Sequence, residues 1–87
     1  MASYRVEVKP SAKKELERLS NPLLARITRR LETLASNPRP PGCTKLKGGD
    51  KEWRARVGDY RVVYTVDDQE LLVEVTRIRH RSRVYEQ

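Results

Sequence analysis

The chain has 87 residues, which is enough for one compact domain with a small core but not for two domains. Nineteen Lys and Arg against twelve Asp and Glu give a formal net charge of +7, which favours a polyanionic partner without saying which one. One cysteine, Cys43, and one histidine, His80, exclude an internal disulfide and a metal site built from several Cys and His ligands.

The N-terminal third predicts one strand and two helices. Apolar residues alternate with charged ones over residues 4–8, which is the period of a strand with one buried face. A first helix is expected after Pro10, with Ser11 as its cap. Its apolar residues are Ala12, Leu16 and Leu19, which are spaced i, i+4 and i+7. A second helix is expected to begin at Ser20-Asn21-Pro22 and to end near Ser36. Its apolar stripe consists of Leu24, Ile27, Leu31 and Leu34.

The C-terminal half predicts a three-stranded antiparallel meander. Prolines and glycines make residues 37–50 a loop, apart from a brief extended piece around Leu46. Residues 53–66 alternate on both sides of a two-residue turn at Gly58-Asp59, and a last strand spans 71 to about 79. The predicted fold class is α+β, in the order β-α-α-β-β-β. A mostly antiparallel four-stranded sheet carries two helices on one face and leaves the other face free.

The first turn of the meander also predicts which side chains share a face. If Gly58-Asp59 forms the whole loop, Arg56 lies directly opposite Arg61 and Arg54 lies beside Val63. Like charges opposite each other destabilise a sheet, so this arrangement works against stability. We therefore interpret these arginines, on the free face, as an anion-binding site.

The C-terminal segment extends this charge. Residues 76–85 contain four arginines and no carboxylate, whereas a merely solvated surface usually mixes the two signs. An even-length turn at 67–70 would place Glu74 and Thr76 next to Arg61 on the free face. The alternative is that Glu74 neutralises Arg61 and that the remaining charge serves only solvation.

Several segments resemble the RelE/ParE toxin superfamily of type II toxin-antitoxin systems. Two match its C-terminal motifs: EWRARVGDYRVVYTVDD at 52–68 and VTRIRHRSRVY at 75–85. Two more are similar to its first helix and to the connection into the sheet: KPSAKKELERL at 9–19 and NPRPPGCTKLKG at 37–48. The resemblance implies a single RelE-like toxin domain over residues 1–87. RelE-type members cleave messenger RNA in the ribosomal decoding site, whereas ParE-type members inhibit DNA gyrase, so the fold alone does not choose between them.

The resemblance also implies functional residues. Catalytic positions of the RelE type fall at Arg54, Arg56, Arg61, Arg81 and Tyr85. Arg81, implied to lie on the last strand, would protonate the leaving oxygen, and Tyr85 would orient the 2′-hydroxyl, stack a base or simply pack on the sheet. RelE-type toxins often carry lysines where this chain has Arg54 and Arg56. Because arginine is a poor general base, His80 is the candidate base, although a lone histidine is often incidental.

Further residues are expected to contact RNA, and the expected activity implies specific partners. The remaining basic residues assigned to RNA binding are Lys45, Lys47, Arg77, Arg79 and Arg83. The resemblance implies a metal-independent, cofactor-free endoribonuclease that acts on messenger RNA at the ribosome through 2′-hydroxyl attack. It also implies an acidic RelB-like antitoxin, whose complex with the toxin binds operator DNA. No apolar run approaches the roughly 20 residues of a membrane span, so a cytoplasmic protein is expected. A ParE-like gyrase inhibitor and a non-catalytic basic nucleic-acid-binding module remain the alternatives.

Overall fold

Five strands and three helices make up the part of the chain that the computed structural model describes, residues 3–46 and 51–84, with the backbone alone at 83 and 84. In chain order they are β1 (Arg5–Val8), α1 (Pro10–Glu17), α2 (Asn21–Ser36), β2 (Thr44–Lys45), β3 (Glu52–Val57), β4 (Tyr60–Asp67), β5 (Leu72–His80) and α3 (Arg81–Val84). The predicted α+β class is confirmed. The sheet has five strands rather than four, because the brief extended piece after the loop pairs with β3 as strand β2.

The strands form one sheet in the order β1-β5-β4-β3-β2. The pairings β5–β4, β4–β3 and β3–β2 are antiparallel. Strand β1 runs parallel to β5, so the first and the last strand of the chain are neighbours in the sheet. The β3–β4 hairpin has the predicted register, with Arg56 opposite Arg61 and Arg54 opposite Val63. Its turn requires glycine, because Gly58 has φ 59 in the left-handed region.

The register predicted for β4 and β5 is wrong. Arg61 lies opposite Arg79, and neither Glu74 nor Thr76 is its neighbour across the strands. The loop comprises residues 68–71, one residue later than expected, and a β-bulge further along the pair shifts the register once more.

Asp67 determines where this turn begins. Its Oδ1 accepts hydrogen bonds from the backbone N–H groups of Gln69 and Glu70, each at 3.0 Å. The bond from Glu70 is the main reason why the pKa of Asp67 lies below its usual value. Leu71 closes the turn with φ 53, a left-handed conformation that is unusual for a leucine. The side chain of Asp67 thus accepts hydrogen bonds from the backbone of the turn, and the alternation of apolar and polar residues did not predict these bonds.

The core lies between the sheet and the two longer helices. Its buried residues from α1 and α2 are Ala12, Ile27, Leu31 and Leu34. Those from the sheet are Ala55, Val57, Val62, Tyr64, Val66, Val73, Val75 and Ile78. Tyr64 is fully buried, and its hydroxyl donates a hydrogen bond of 2.7 Å to the carbonyl of Pro38 in the loop after α2.

Helix α1 continues β1 along the edge of β5. Ser11 does not cap this helix as predicted, because its Oγ donates to the carbonyl of Thr76 at 2.9 Å instead. Lys9 is the N-cap residue and makes no side-chain capping bond. Farther along, Glu15 Oε1 accepts from the backbone N–H of Ile78 at 2.9 Å. Side chains of α1 therefore pair with backbone groups of β5 beyond the end of β1, where the edge would otherwise be open.

Within the described ranges, none of the helices combines the length and the apolar character that crossing a membrane demands.

Replacing Tyr64 with Phe is expected to lower the free energy of unfolding by about 1–2 kcal/mol, because the buried carbonyl of Pro38 loses its donor. Urea denaturation measures this change. Tyr4→Phe is the control, since the Tyr4 hydroxyl bond to Asp68 is exposed and should matter less. Equal losses in the two variants would contradict the assignment.

The burial of Tyr64 also predicts how the free energy of unfolding depends on pH. Burial raises the pKa of the Tyr64 hydroxyl, so the folded protein retains this proton at pH values where the unfolded chain has lost it. The resulting stability is fully present below the unfolded pKa of about 10 and declines as the pH rises further. Tyr64→Phe should therefore show a smaller loss of stability in alkali.

Candidate nucleic-acid interface

Five arginines share the face of the sheet that is turned away from the helices, here called the open face. In one row across three strands, Arg56 lies opposite Arg61, and Arg61 lies opposite Arg79. In the next row, Val63 lies between Arg54 and Arg77. We call the five residues the arginine ladder: Arg54, Arg56, Arg61, Arg77 and Arg79. The structure thus joins the two arginine groups that the sequence suggested separately.

A β-bulge brings β5 into the ladder. Val73 and Val75 are buried, but the next buried residue is Ile78, three positions later. The register shifts between Val63 and Tyr64, where one extra residue on β5 reverses the alternation of its side chains. If β5 paired regularly with β4 along its whole length, Ile78 would lie on the open face, and the two arginines beside it would point into the core.

At the bulge, a side chain of β5 forms a hydrogen bond with the backbone of β4. Thr76 lies at this point, and its Oγ1 donates to the carbonyl of Val63 at 3.2 Å. The sequence signal that could have revealed the bulge is the apolar spacing, which changes from two residues to three between Val75 and Ile78.

Charged residues near β1 and those of the ladder differ in how they form ion pairs. Toward β1, carboxylates are paired: Glu74 contacts Lys9 at 2.8 Å, and Glu7 contacts Arg5 at 2.9 Å. Glu74, expected next to Arg61, is therefore neutralised elsewhere, and its hydrogen bond raises the pKa of Lys9. At the ladder end, the described part of the chain offers no ion pair to three of the arginines, which are Arg54, Arg56 and Arg77.

One carboxylate does reach the ladder, and it comes from α1. Glu15 accepts from Arg79 Nε at 3.0 Å, and the two side chains are only 23% and 22% exposed. Its other oxygen accepts from the backbone of Ile78. Glu15 therefore orients Arg79 while it closes the strand edge.

Helix α1 also supplies basic residues that the sequence analysis missed. Lys14 and Arg18 line a cavity of about 470 Å³ together with Arg77 and Arg79 of the ladder. Nothing in the local pattern distinguished these two residues from ordinary charged residues on a helix surface. Their position follows from the parallel pairing of β1 with β5, which lays α1 beside the ladder.

His80 and Arg81 occupy the end of β5. His80 lies opposite Tyr60, with the two rings edge to face at 5.4 Å, so it points to the helix side and does not join the ladder. Arg81 is the first residue of α3 and not part of the last strand as implied, because β5 ends at His80. Its N–H donates to the carbonyl of Asp59 at 2.8 Å, which keeps Arg81 next to the β3–β4 turn and close to the Arg56 end of the ladder.

The other predicted residues are only partly covered. Lys45 lies opposite Trp53 and therefore on the helix side of the sheet. Lys47 and Tyr85 fall outside the described residues, and for Arg83 only the backbone is described. Among residues 3–46 and 51–84, no three His, Cys, Asp or Glu side chains are grouped so that they could hold a metal ion.

Arg56→Gln tests whether the ladder serves stability or binding. Arg56 is exposed, and its Nε donates to the carbonyl of Gly58 at 3.2 Å. Because like charges across strands repel, removing this charge is expected to leave the free energy of unfolding unchanged or to raise it by a few tenths of a kcal/mol at low salt. A loss above about 1 kcal/mol in urea denaturation would mean that the charge serves the fold.

Glu15→Ala is expected to destabilise the protein by about 2 kcal/mol, since it leaves Arg79 and the N–H of Ile78 without their acceptor. Glu15→Gln keeps an acceptor oxygen and should cost less than half as much. Thermal unfolding of the two variants side by side measures the difference. Equal losses would show that the carboxylate charge matters more than the bond to the backbone.

Known proteins are similar to this chain in sequence and in fold. The family profile described as the ParE toxin of the type II toxin-antitoxin system, parDE, matches residues 6–85. A protein of Methanocaldococcus jannaschii named as toxin RelE1 is 31% identical over 85 residues, which is 94% of each chain. Toxin RelE of Mycobacterium tuberculosis is 34% identical over 83 residues, covering 94% of this chain and 86% of that protein. In the crystal structure of the archaeal RelE-RelB complex from Pyrococcus horikoshii, one chain superposes with a TM-score of 0.83 at 29% identity, covering 93% of this chain and 98% of that one. The chain therefore belongs to the RelE/ParE superfamily, the toxins of type II toxin-antitoxin systems.

Proposed function

We propose that this toxin is a ribosome-dependent endoribonuclease that cleaves messenger RNA without a metal, by attack of the RNA's own 2′-hydroxyl. The observation that carries the proposal is the arginine ladder, which concentrates five guanidinium groups on an open face. The relatives named RelE favour the same choice within the superfamily.

In this proposal the ladder grips the scissile phosphate. Neighbouring strands lie about 4.8 Å apart, so Arg56, Arg61 and Arg79 present planar donors at a spacing that suits the oxygens of one phosphate or of two adjacent ones. Each guanidinium can bind a phosphate in two-point fashion. The pentavalent transition state carries more negative charge than the substrate, so fixed cations stabilise the transition state more strongly.

Proton transfer is assigned to the end of β5 and the residues beyond it. Arg81 would hold the 5′-oxygen as it leaves, and Tyr85 would orient the 2′-hydroxyl. For His80 to take the proton of that hydroxyl, the RNA must pass the end of β5, where His80 and Arg81 are consecutive. If a His80→Gln variant cleaves at the rate of the unsubstituted protein, His80 is not the base.

The shape of the site supports the proposed dependence on the ribosome. The ladder is a charged surface on a sheet, with a cavity at its α1 rim, where Lys14 and Arg18 meet Arg77 and Arg79. Such a surface neutralises charge but does not by itself align a 2′-hydroxyl with a phosphorus atom. Alignment is a large part of catalysis, so an external holder of the message, the ribosome, would supply it.

The partner that silences the toxin is proposed to be an acidic RelB-like antitoxin. In solved structures from several organisms, a RelE chain of this fold is in complex with RelB. On this chain, β1 and α2 border a mostly apolar groove of about 380 Å³, lined by Val6, Val8, Thr28, Leu31, Glu32 and Ala35. An amphipathic segment could bury its apolar side in this groove and direct acidic residues to the ladder.

Inhibition of DNA gyrase is the second candidate, because the matching family profile is that of ParE. Purified protein would then block supercoiling by gyrase and leave ribosome-bound messenger RNA intact. The reverse pattern is expected from the arginine ladder.

The decisive experiment uses purified ribosomes programmed with a defined message, with cleavage ends mapped by primer extension. Arg61→Gln or Arg81→Gln is expected to slow cleavage by about 100-fold or more, as for loss of one donor to a charged transition state. Arg5→Gln is the matched control, since it removes the same charge from the same face but at the β1 end, beside Glu7. If all three variants cut alike, or if the unsubstituted chain does not cut, the proposal is wrong.

A further inference from the structure

Helix α2 carries a second group of arginines on the other side of the sheet. Arg26, Arg29 and Arg30, which we call the α2 arginine site, line a cavity of about 260 Å³ with Thr33 and Val57. Arg26 and Arg29 are exposed, and Arg30 is half-buried. Among the residues that the structure describes, no carboxylate forms an ion pair with any of the three.

This arrangement does not favour the helix itself. Arg26 is three residues from Arg29 and four from Arg30, and like charges at these spacings destabilise a helix. The one carboxylate of α2, Glu32, is three residues from Arg29, but in the described part of the chain it forms no ion pair with any of the three arginines and lines the apolar groove beside β1. The site therefore resembles the ladder in placing unbalanced positive charge where stability gains nothing.

The two basic surfaces meet at the β3–β4 turn. The carbonyl of Gly58 accepts from Arg56 Nε of the ladder at 3.2 Å. On the helix side, a Cβ placed on Gly58 would lie 3.5 Å from Nη1 and Nη2 of Arg26. The turn is thus bordered by guanidinium groups on both sides of the sheet, with the exposed Asp59 in the turn itself.

We propose that the α2 arginine site binds the phosphates of a second RNA segment, distinct from the strand held by the ladder. Because the two sites lie on opposite sides of the sheet, a folded RNA that approaches the hairpin tip from both sides would fill them together. Since the proposed function requires the ribosome, the RNA of this chemistry is ribosomal RNA, and the inference rests on that proposed function.

The chemistry of the site favours RNA over an acidic protein. Guanidinium groups dominate its lining, and its one apolar member, Val57, is only 6% exposed. Protein partners usually add apolar contacts to charged ones, and the apolar surface of α2 lies instead at the groove with Val6 and Val8. Phosphates need only donors and positive charge.

The test compares binding to intact ribosomes with binding to a single-stranded RNA of about five nucleotides, which can occupy the ladder alone. The double variant Arg26→Gln/Arg29→Gln changes two exposed residues. Its affinity for ribosomes is expected to fall about tenfold at low salt, and the slope of log K against log salt should decrease by about 1.5. Its affinity for the short RNA should stay within twofold of the unsubstituted protein.

Arg5→Gln/Lys13→Gln is the matched control, because it removes two exposed charges away from both sites. Ribosome affinity equal to that of this control would overturn the proposal and leave the α2 arginines to an acidic protein surface. An equal loss on the short RNA would also overturn it, since one strand would then reach both sites. A tenfold loss on duplex DNA but not on ribosomes would assign the site to DNA instead.

Failure of the proposed function gives a separate result. If the unsubstituted protein binds ribosomes but leaves the message uncut, cleavage is refuted, while the comparison of the two double variants still decides the second site. If the unsubstituted protein does not bind ribosomes, the ribosomal RNA assignment is refuted with it.

Discussion

The candidate functional face of this protein depends on the β-bulge in strand β5. A strand alternates its side chains between two faces, so every residue of β5 would keep its parity from Val73 to the end if the pairing with β4 were regular. The bulge beside Val63 reverses that parity after Val75. Ile78 then enters the core, and the arginines on either side of it reach the open face. A single backbone irregularity therefore converts two separate arginine groups into one ladder across three strands.

The ladder illustrates a compromise between stability and binding. Arginines that face each other across strands repel, which works against the stability of the sheet. In the described part of the chain, Glu15 is the carboxylate that pairs with the ladder, and it binds Arg79 at the strand edge while its other oxygen holds the N–H of Ile78. The carboxylates on the β1 side of the open face are engaged by Lys9 and Arg5. Positive charge thus remains available at one end of the face, where a polyanion can compensate it.

Membership of the RelE/ParE superfamily accounts for the fold but leaves the activity to the site. The match to a ParE profile and the relatives named RelE show that one architecture carries proteins of both names. What distinguishes the candidate activities is the chemistry that each face presents. A row of guanidinium groups on the face of a sheet suits phosphate binding on a substrate that something else holds in place.

Local sequence patterns determined much of this structure, and tertiary pairing decided the rest. Alternation and the Gly58-Asp59 turn predicted the β3–β4 register and placed Arg56 opposite Arg61, because a two-residue loop leaves one pairing. The end of α2 at Ser36 followed from its apolar stripe in the same way. The position of the next turn did not follow, because Asp67 satisfies backbone donors through its own side chain.

The sequence by itself therefore determined the class of fold, the hairpin and a concentration of arginine near the C-terminus. Only the tertiary structure decided that Arg77 and Arg79 join the arginines of β3 and β4, because the bulge in β5 places Ile78 in the core. Only the tertiary structure brought Lys14, Glu15 and Arg18 to the ladder, since β1 and β5 are far apart in the chain and pair only in the folded sheet. The tertiary structure also placed His80 on the opposite side from the ladder. The direction of a side chain at the end of a strand depends on the pairing register of all the preceding residues, including any bulge.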